Sequence, residues 1–162
     1  MHKIISKKRV QAASEKFGRE VRDSDLALQA EKFVFTTEQP GLSEGISLLG
    51  TECSPVLQAV LHMWIISIYK MFPKGLRKIS LEEMTEALNI ASSELDKTAS
   101  TGEKNFIQKS QPFVASYIVS SFYVLVKNKT LTEDEFGSCL IFSYAFIYVL
   151  NKAYQENSNT DF

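Results

Sequence analysis

The sequence predicts an all-α fold: a bundle of about six helices with a hydrophobic C-terminal helix at its centre. Three observations predict it. First, Cys53–Tyr69, Ser110–Val126 and Phe136–Asn151 contain no Asp, Glu, Lys or Arg over 17, 17 and 16 residues. Second, apolar residues elsewhere recur at spacings of three and four, the period of a helix with one buried face. Third, helix-start signatures precede the longest of these segments. No pair of alternating segments reads as paired strands, and no internal repeat or low-complexity tract is visible in the sequence.

At 162 residues, the chain is expected to form one domain over 1–156, followed by a frayed tail over 157–162. Its apolar fraction of 44 % and charged fraction of 23 % are ordinary for a globular protein. The net charge of −1 supplies no global field toward nucleic acid or an anionic surface. Charge alternates in blocks: basic over 1–22, 64–80 and 104–130, acidic over 23–63, 81–103 and 131–162. The N-terminus lacks an apolar run of signal-peptide length, which predicts a cytoplasmic protein. Cys53 and Cys139 lie within or beside apolar runs and read as free thiols, although spacing alone leaves a disulfide open.

The first helix is expected over Ser6–Arg22, with Val10, Ala13, Phe17 and Val21 as its apolar stripe. A second follows over Ser24–Thr36, capped by Asp23 or Ser24. Thr37–Thr51 holds Pro40, Gly41, Gly45 and Gly50 and reads as a breaker-rich connection with one turn of helix through Leu42, Ile46 and Leu49. Ser54-Pro55 starts a helix that runs to about Phe72 and stops before Pro73 and Gly75. Ser80 and Glu83 form a capping box for a helix bearing Leu81, Met84, Leu88, Ala91 and Leu95 on one side. Ala99–Lys109 reads as a polar connection. A helix over Gln111–Lys127 follows, and Thr132 with Glu135 caps the last, which ends near Glu156.

The charge-free runs could be core helices or membrane spans. A span needs about 20 apolar residues, roughly 17–25. All three runs sit at or below the lower end, and Ser116, Ser120, Ser121, Gln58 and His62 interrupt them. At about 100° per residue, Val114, Ala115, Ile118, Val119, Phe122, Leu125 and Val126 cover one arc. Ser116, Tyr117, Ser120, Ser121 and Tyr123 cover the other. That pattern belongs to a helix with one face in a core and one at water or an interface. Phe136–Asn151 is apolar all round, as suits a helix enclosed by others. The expectation is therefore no membrane span.

Candidate chemistry is sparse. His2 and His62 are the two histidines, and neither has an orienting partner and nucleophile in view. Cys53 stands just before a helix start, a position that lowers a thiol pKa, yet it reads as inert. No spacing of Cys, His, Asp or Glu matches a metal site, and the glycines at 41, 45 and 50 lack a phosphate-loop sequel. No cofactor is expected and no enzymatic role. Residues 80–98 resemble a helix-turn-helix with Asn89 at the turn. Against that, Glu94 and Asp96 outweigh Lys97 on the reading helix, and the stripe from Leu81 to Leu95 survives only in an unbroken helix. Nucleic acid is thus an unfavoured partner.

The leading expectation is a non-enzymatic protein-binding chain, a regulator, adaptor or inhibitor-type partner that binds another protein or itself as a homodimer. Tyr117, Tyr123, Tyr144 and Tyr148 are its expected exposed contacts, with Gln58, His62 and Tyr69 on a second polar stripe. Two alternatives stand beside it: a bundle that encloses an apolar small molecule such as an acyl chain, and a DNA-binding regulator through 80–98. Thr160-Asp161-Phe162 also matches the endings that carboxylate-capturing domains accept.

Overall fold

The structure, a computed structural model, describes residues 2–22, 24–50 and 53–157, with the side chains of 49 and 50 left aside. Of the tail expected over 157–162, all but Asn157, including its Thr-Asp-Phe ending, lies outside the described residues, as do Asp23 and the side chain of Leu49. Among the described residues there are eight helices and no strand: α1 (Lys7–Arg22), α2 (Asp25–Glu38), α3 (Pro40–Gly50), α4 (Pro55–Met71), α5 (Leu81–Thr101), α6 (Phe106–Ser110), α7 (Pro112–Lys127) and α8 (Glu133–Glu156).

The helix starts are local chemistry. Ser24, Ser54, Ser80, Asn105 and Thr132 each accept a backbone N–H of the first turn through the side chain. Ser80/Glu83 and Thr132/Glu135 form the expected capping boxes, and Asn105/Gln108 forms a third. Gly102 closes α5 at φ 71°, where a Cβ would be strained.

Two stretches expected as connections contain helices, α3 and α6. Gly41 and Gly45 of α3 serve close packing and do not mark turns. A Cβ on Gly41 would meet the Ile79 carbonyl oxygen at 2.3 Å, and one on Gly45 would lie 3.4 Å from Leu81 and Met84. Their bare backbone lets α3 approach the start of α5 closely.

The order of helices repeats, a feature invisible as sequence similarity. In each half a helix begins after Ile-Ser (Ile5-Ser6 and Ile79-Ser80). A second helix ends at a Gln-Pro step, Gln39-Pro40 or Gln111-Pro112, where a third begins, and a fourth helix packs beneath. Gln39 has φ −133°, ψ 65°, and Gln111 has φ −135°, ψ 69°. A residue preceding proline is pushed out of the α region, so each step ends one helix and starts the next. The contacts are reciprocal: α3 packs on α5, α7 packs on α1, and α4 meets α8. Each half therefore clasps the first helix of the other.

The core runs through both halves. Leu57, Leu61, Ile65 and Ile68 of α4 are buried, as are Val114, Ile118 and Phe122 of α7. α8 is packed against α4, α5, α6 and α7, with Tyr144–Ile147 and Val149–Asn151 all buried. By length and composition α8 is the one helix among the described residues apolar enough to cross a membrane.

Candidate functional site: an uncharged face on α4 and α7

Two of the three charge-free runs form outer helices. Ser54 caps α4 by accepting the Leu57 N–H at 3.2 Å, and Pro55 occupies its first turn. Pro112 occupies the first turn of α7 in the same way. Their inner sides fill the core, so their outer sides face solvent without a single charge between 53 and 69 or between 112 and 126.

The seam between them is aromatic. Trp64 meets Tyr117 edge to face with ring centroids 5.6 Å apart, and meets Phe122 at 5.8 Å. Beside Trp64 on α4 stand Val56, 55 % exposed, Met63, 41 % exposed, and half-buried Val60. Beside Tyr117 on α7 stand Val124, 51 % exposed, Phe113, 40 % exposed, and exposed Ser120. Helical rotation puts each set on the flank nearest the seam. Outer helix faces ordinarily carry charge. A face with Met and aromatic side chains and no charge has the composition of an interface core.

The expected interface residues divide. Tyr117 sits at the seam and Tyr123, 62 % exposed, lies further round the same outer face of α7. Tyr144 is a correction: it is 1 % exposed, with its hydroxyl beside Gln108 and its phenol pushed up by burial. A helix apolar on every side gives no outward direction, so the sequence could not say which way Tyr144 points. Tyr148 is half-buried against the Phe106 ring at 6.3 Å, on the α6 side. Gln58 and His62 face away from the seam and bond within their own segment, His62 Nδ1 at 2.8 Å from the Gln58 carbonyl and Gln58 Nε2 donating to the Cys53 carbonyl at 3.1 Å. Tyr69 belongs to a different place, a cleft by α1 and α2, where it donates to Glu38 at 2.6 Å. Trp64, Met63, Val56, Phe113 and Val124 were not among the expected contacts. The helical arcs of their own runs carried the signal.

The remaining candidates do not gather into one place among the described residues. Neither Cys53 nor Cys139 is in a disulfide among the described residues. Burial, then the nearby Cys53 and Glu135, pushes the Cys139 thiol up to about 12. No group of three or more His, Cys, Asp or Glu gathers for a metal among the described residues. α5 runs unbroken from Leu81 to Thr101 through Asn89, so residues 80–98 do not fold as helix-turn-helix. Arg77 ties that region down by donating to Glu83 at 2.8 Å and to Glu156 at 2.6 Å, and its bond to Glu83 holds that carboxyl below the usual range.

These features define an all-α protein of two interlocked four-helix halves with an uncharged outer face. Compared with family models, curated proteins and solved structures, the chain matches none.

Proposed function

We propose that this chain is a non-catalytic protein-binding module whose docking surface is the α4–α7 face. The observation that carries the reading is the Trp64–Tyr117 seam, flanked by exposed Met63, Val56, Phe113 and Val124 on two helices without charge along that face. Exposed apolar surface of this kind loses free energy to water and regains it on contact with a partner, at roughly 25 cal/mol per Å² removed from water. The partner chemistry that fits is another uncharged helical face. A second copy of the chain satisfies it, because a face without charge meets its own image without repulsion.

Site-specific photo-crosslinking tests this. A photoreactive residue at Ser120 is expected to give a discrete dimer adduct, and the same residue at exposed Asn89 on α5 none. Met63→Glu with Tyr123→Glu is expected to abolish the adduct while circular dichroism stays helical. Equal adducts from both positions, or no adduct from Ser120, would remove the reading.

A further inference from the structure

A cleft of about 370 Å³ opens between α1, α2 and the C-terminal end of α4. That volume falls in the range of small-molecule sites, roughly 300–1,000 Å³. Its apolar lining is Phe17, Val34, Phe35, Ile66, Phe72 and Pro73. In the second half the corresponding first helix, α5, packs extensively on α8. Ala87 and Ala91 of that helix are both 0 % exposed. Counting from the shared Ile-Ser step, Phe17 stands where Ala91 stands in α5. A phenyl ring stands there in place of a methyl, and it lines the cleft.

The charges around the cleft are unequally committed. Lys70 pairs with Glu31 at 2.8 Å and lies 3.9 Å from Glu20. Tyr69 donates to Glu38. Arg9 donates to the Lys70 and Met71 carbonyls and so caps the end of α4. Glu31 is thus paired with a cation and Glu38 is hydrogen-bonded but keeps its charge, so the four cations of the lining, Arg9, Lys16, Lys70 and Lys74, outnumber its two carboxylates. Two cations are left over. Lys16 has only Glu20 at 3.9 Å, and Lys74 has no ion pair or hydrogen bond among the described residues. An apolar cleft whose excess charge is positive suits an amphipathic anion.

We propose that this cleft binds an apolar-tailed carboxylate, a medium-chain fatty acid in its simplest form, with the tail on Phe17, Phe35, Ile66 and Phe72 and the head at Lys16 and Lys74. The site is separate from the α4–α7 face, and its test is independent of that reading.

Isothermal titration of the full chain with decanoate, decanol and decyltrimethylammonium distinguishes the alternatives. Decanoate is expected to bind saturably at one site. Decanol, with the same tail and no charge, is expected to bind at least about tenfold more weakly, and the cation not at all. Lys16→Glu with Lys74→Glu, both at the surface, is expected to weaken decanoate about tenfold or more and leave decanol unchanged. Val34→Trp, at a 45 % exposed position on the wall, is expected to fill the cleft and abolish binding with helicity intact. If that variant fails to fold, the lysine variant decides alone. No saturable decanoate binding, decanol binding as tightly as decanoate, or decanoate affinity unmoved by the lysine change would each overturn the proposal.

Discussion

Gln39 and Gln111 make the same pair of hydrogen bonds at equivalent places in the two halves. Gln39 accepts the Ile79 N–H at 3.0 Å and donates to the Arg77 carbonyl at 3.0 Å. Gln111 accepts the Ile5 N–H at 2.9 Å and donates to the Lys3 carbonyl at 2.8 Å. Both are 0 % exposed. Each amide reads the extended backbone before the opposite half's first helix much as a neighbouring strand would. Gln111 adds a bond to Asn151 Oδ1 at 2.8 Å, and Gln155 closes the knot with bonds to Lys3 and Asn151.

Replacing either glutamine with leucine leaves buried backbone groups unpaired, at about 1–3 kcal/mol each. Gln39→Leu is expected to cost about 3 kcal/mol because it orphans both the Ile79 N–H and the Arg77 carbonyl, and Gln111→Leu less, because Gln155 still donates to the Lys3 carbonyl and to Asn151 Oδ1 and only the Ile5 N–H loses its partner. In a chain of this size a loss of about 3 kcal/mol lowers Tm by roughly 6–12 °C. Hydrogen exchange separates the two: Gln111→Leu should speed exchange at the Ile5 amide, and Gln39→Leu at the Ile79 amide. Identical exchange changes in both variants would contradict the paired arrangement.

Two helical glycines should respond to alanine with opposite signs. Gly18 lies within α1, and a methyl group there would have nothing within 4 Å, so Gly18→Ala should stabilise by about 0.5–1 kcal/mol through helix propensity. Gly41→Ala drives a methyl into the Ile79 carbonyl, 2.3 Å away. That overlap should outweigh the propensity gain and destabilise by about 1–3 kcal/mol. Denaturant melts of both variants check the pair, and stabilisation by Gly41→Ala would mean α3 does not approach α5 as described.

The Cys139 thiol makes stability fall with alkali. It ionises near pH ~8.5 in an unfolded chain but is held up to about 12 in the fold. Between those values the unfolded state has lost the proton and the native state keeps it. Unfolding therefore becomes easier as pH rises, by about 1.4 kcal/mol per pH unit at most. Well below the unfolded-state value the group has no effect. Melts across the alkaline range should show Cys139→Ala with a shallower decline than the parent chain, and equal slopes would count against a buried thiol.

Much of the architecture was legible from local chemistry. Ser54-Pro55, the Ser80/Glu83 and Thr132/Glu135 boxes, and the stops near Phe72 and Glu156 fall where the residues require. Those signals act within one helical turn, through hydrogen bonds between neighbours in the chain. The continuous stripe from Leu81 to Leu95 likewise favoured one helix over a turn at Asn89, and α5 is one helix.

What remained hidden depends on contacts far apart in the sequence. Gly41 and Gly45 looked like breakers because their neighbours at Ile79, Leu81 and Met84 are distant along the chain. The two halves share few residues beyond the Ile-Ser and Gln-Pro steps, so their likeness lies in which positions are buried, and burial is decided by packing. Tyr144 and Tyr123 both sit in charge-free apolar runs, yet one is enclosed by neighbouring helices and the other stands in water. The amino acids alone set where helices begin, end and turn an apolar side inward, since those are short-range effects. The clasp between halves, the cleft lined by Phe17 and the joining of α4 to α7 arise only when the chain closes on itself.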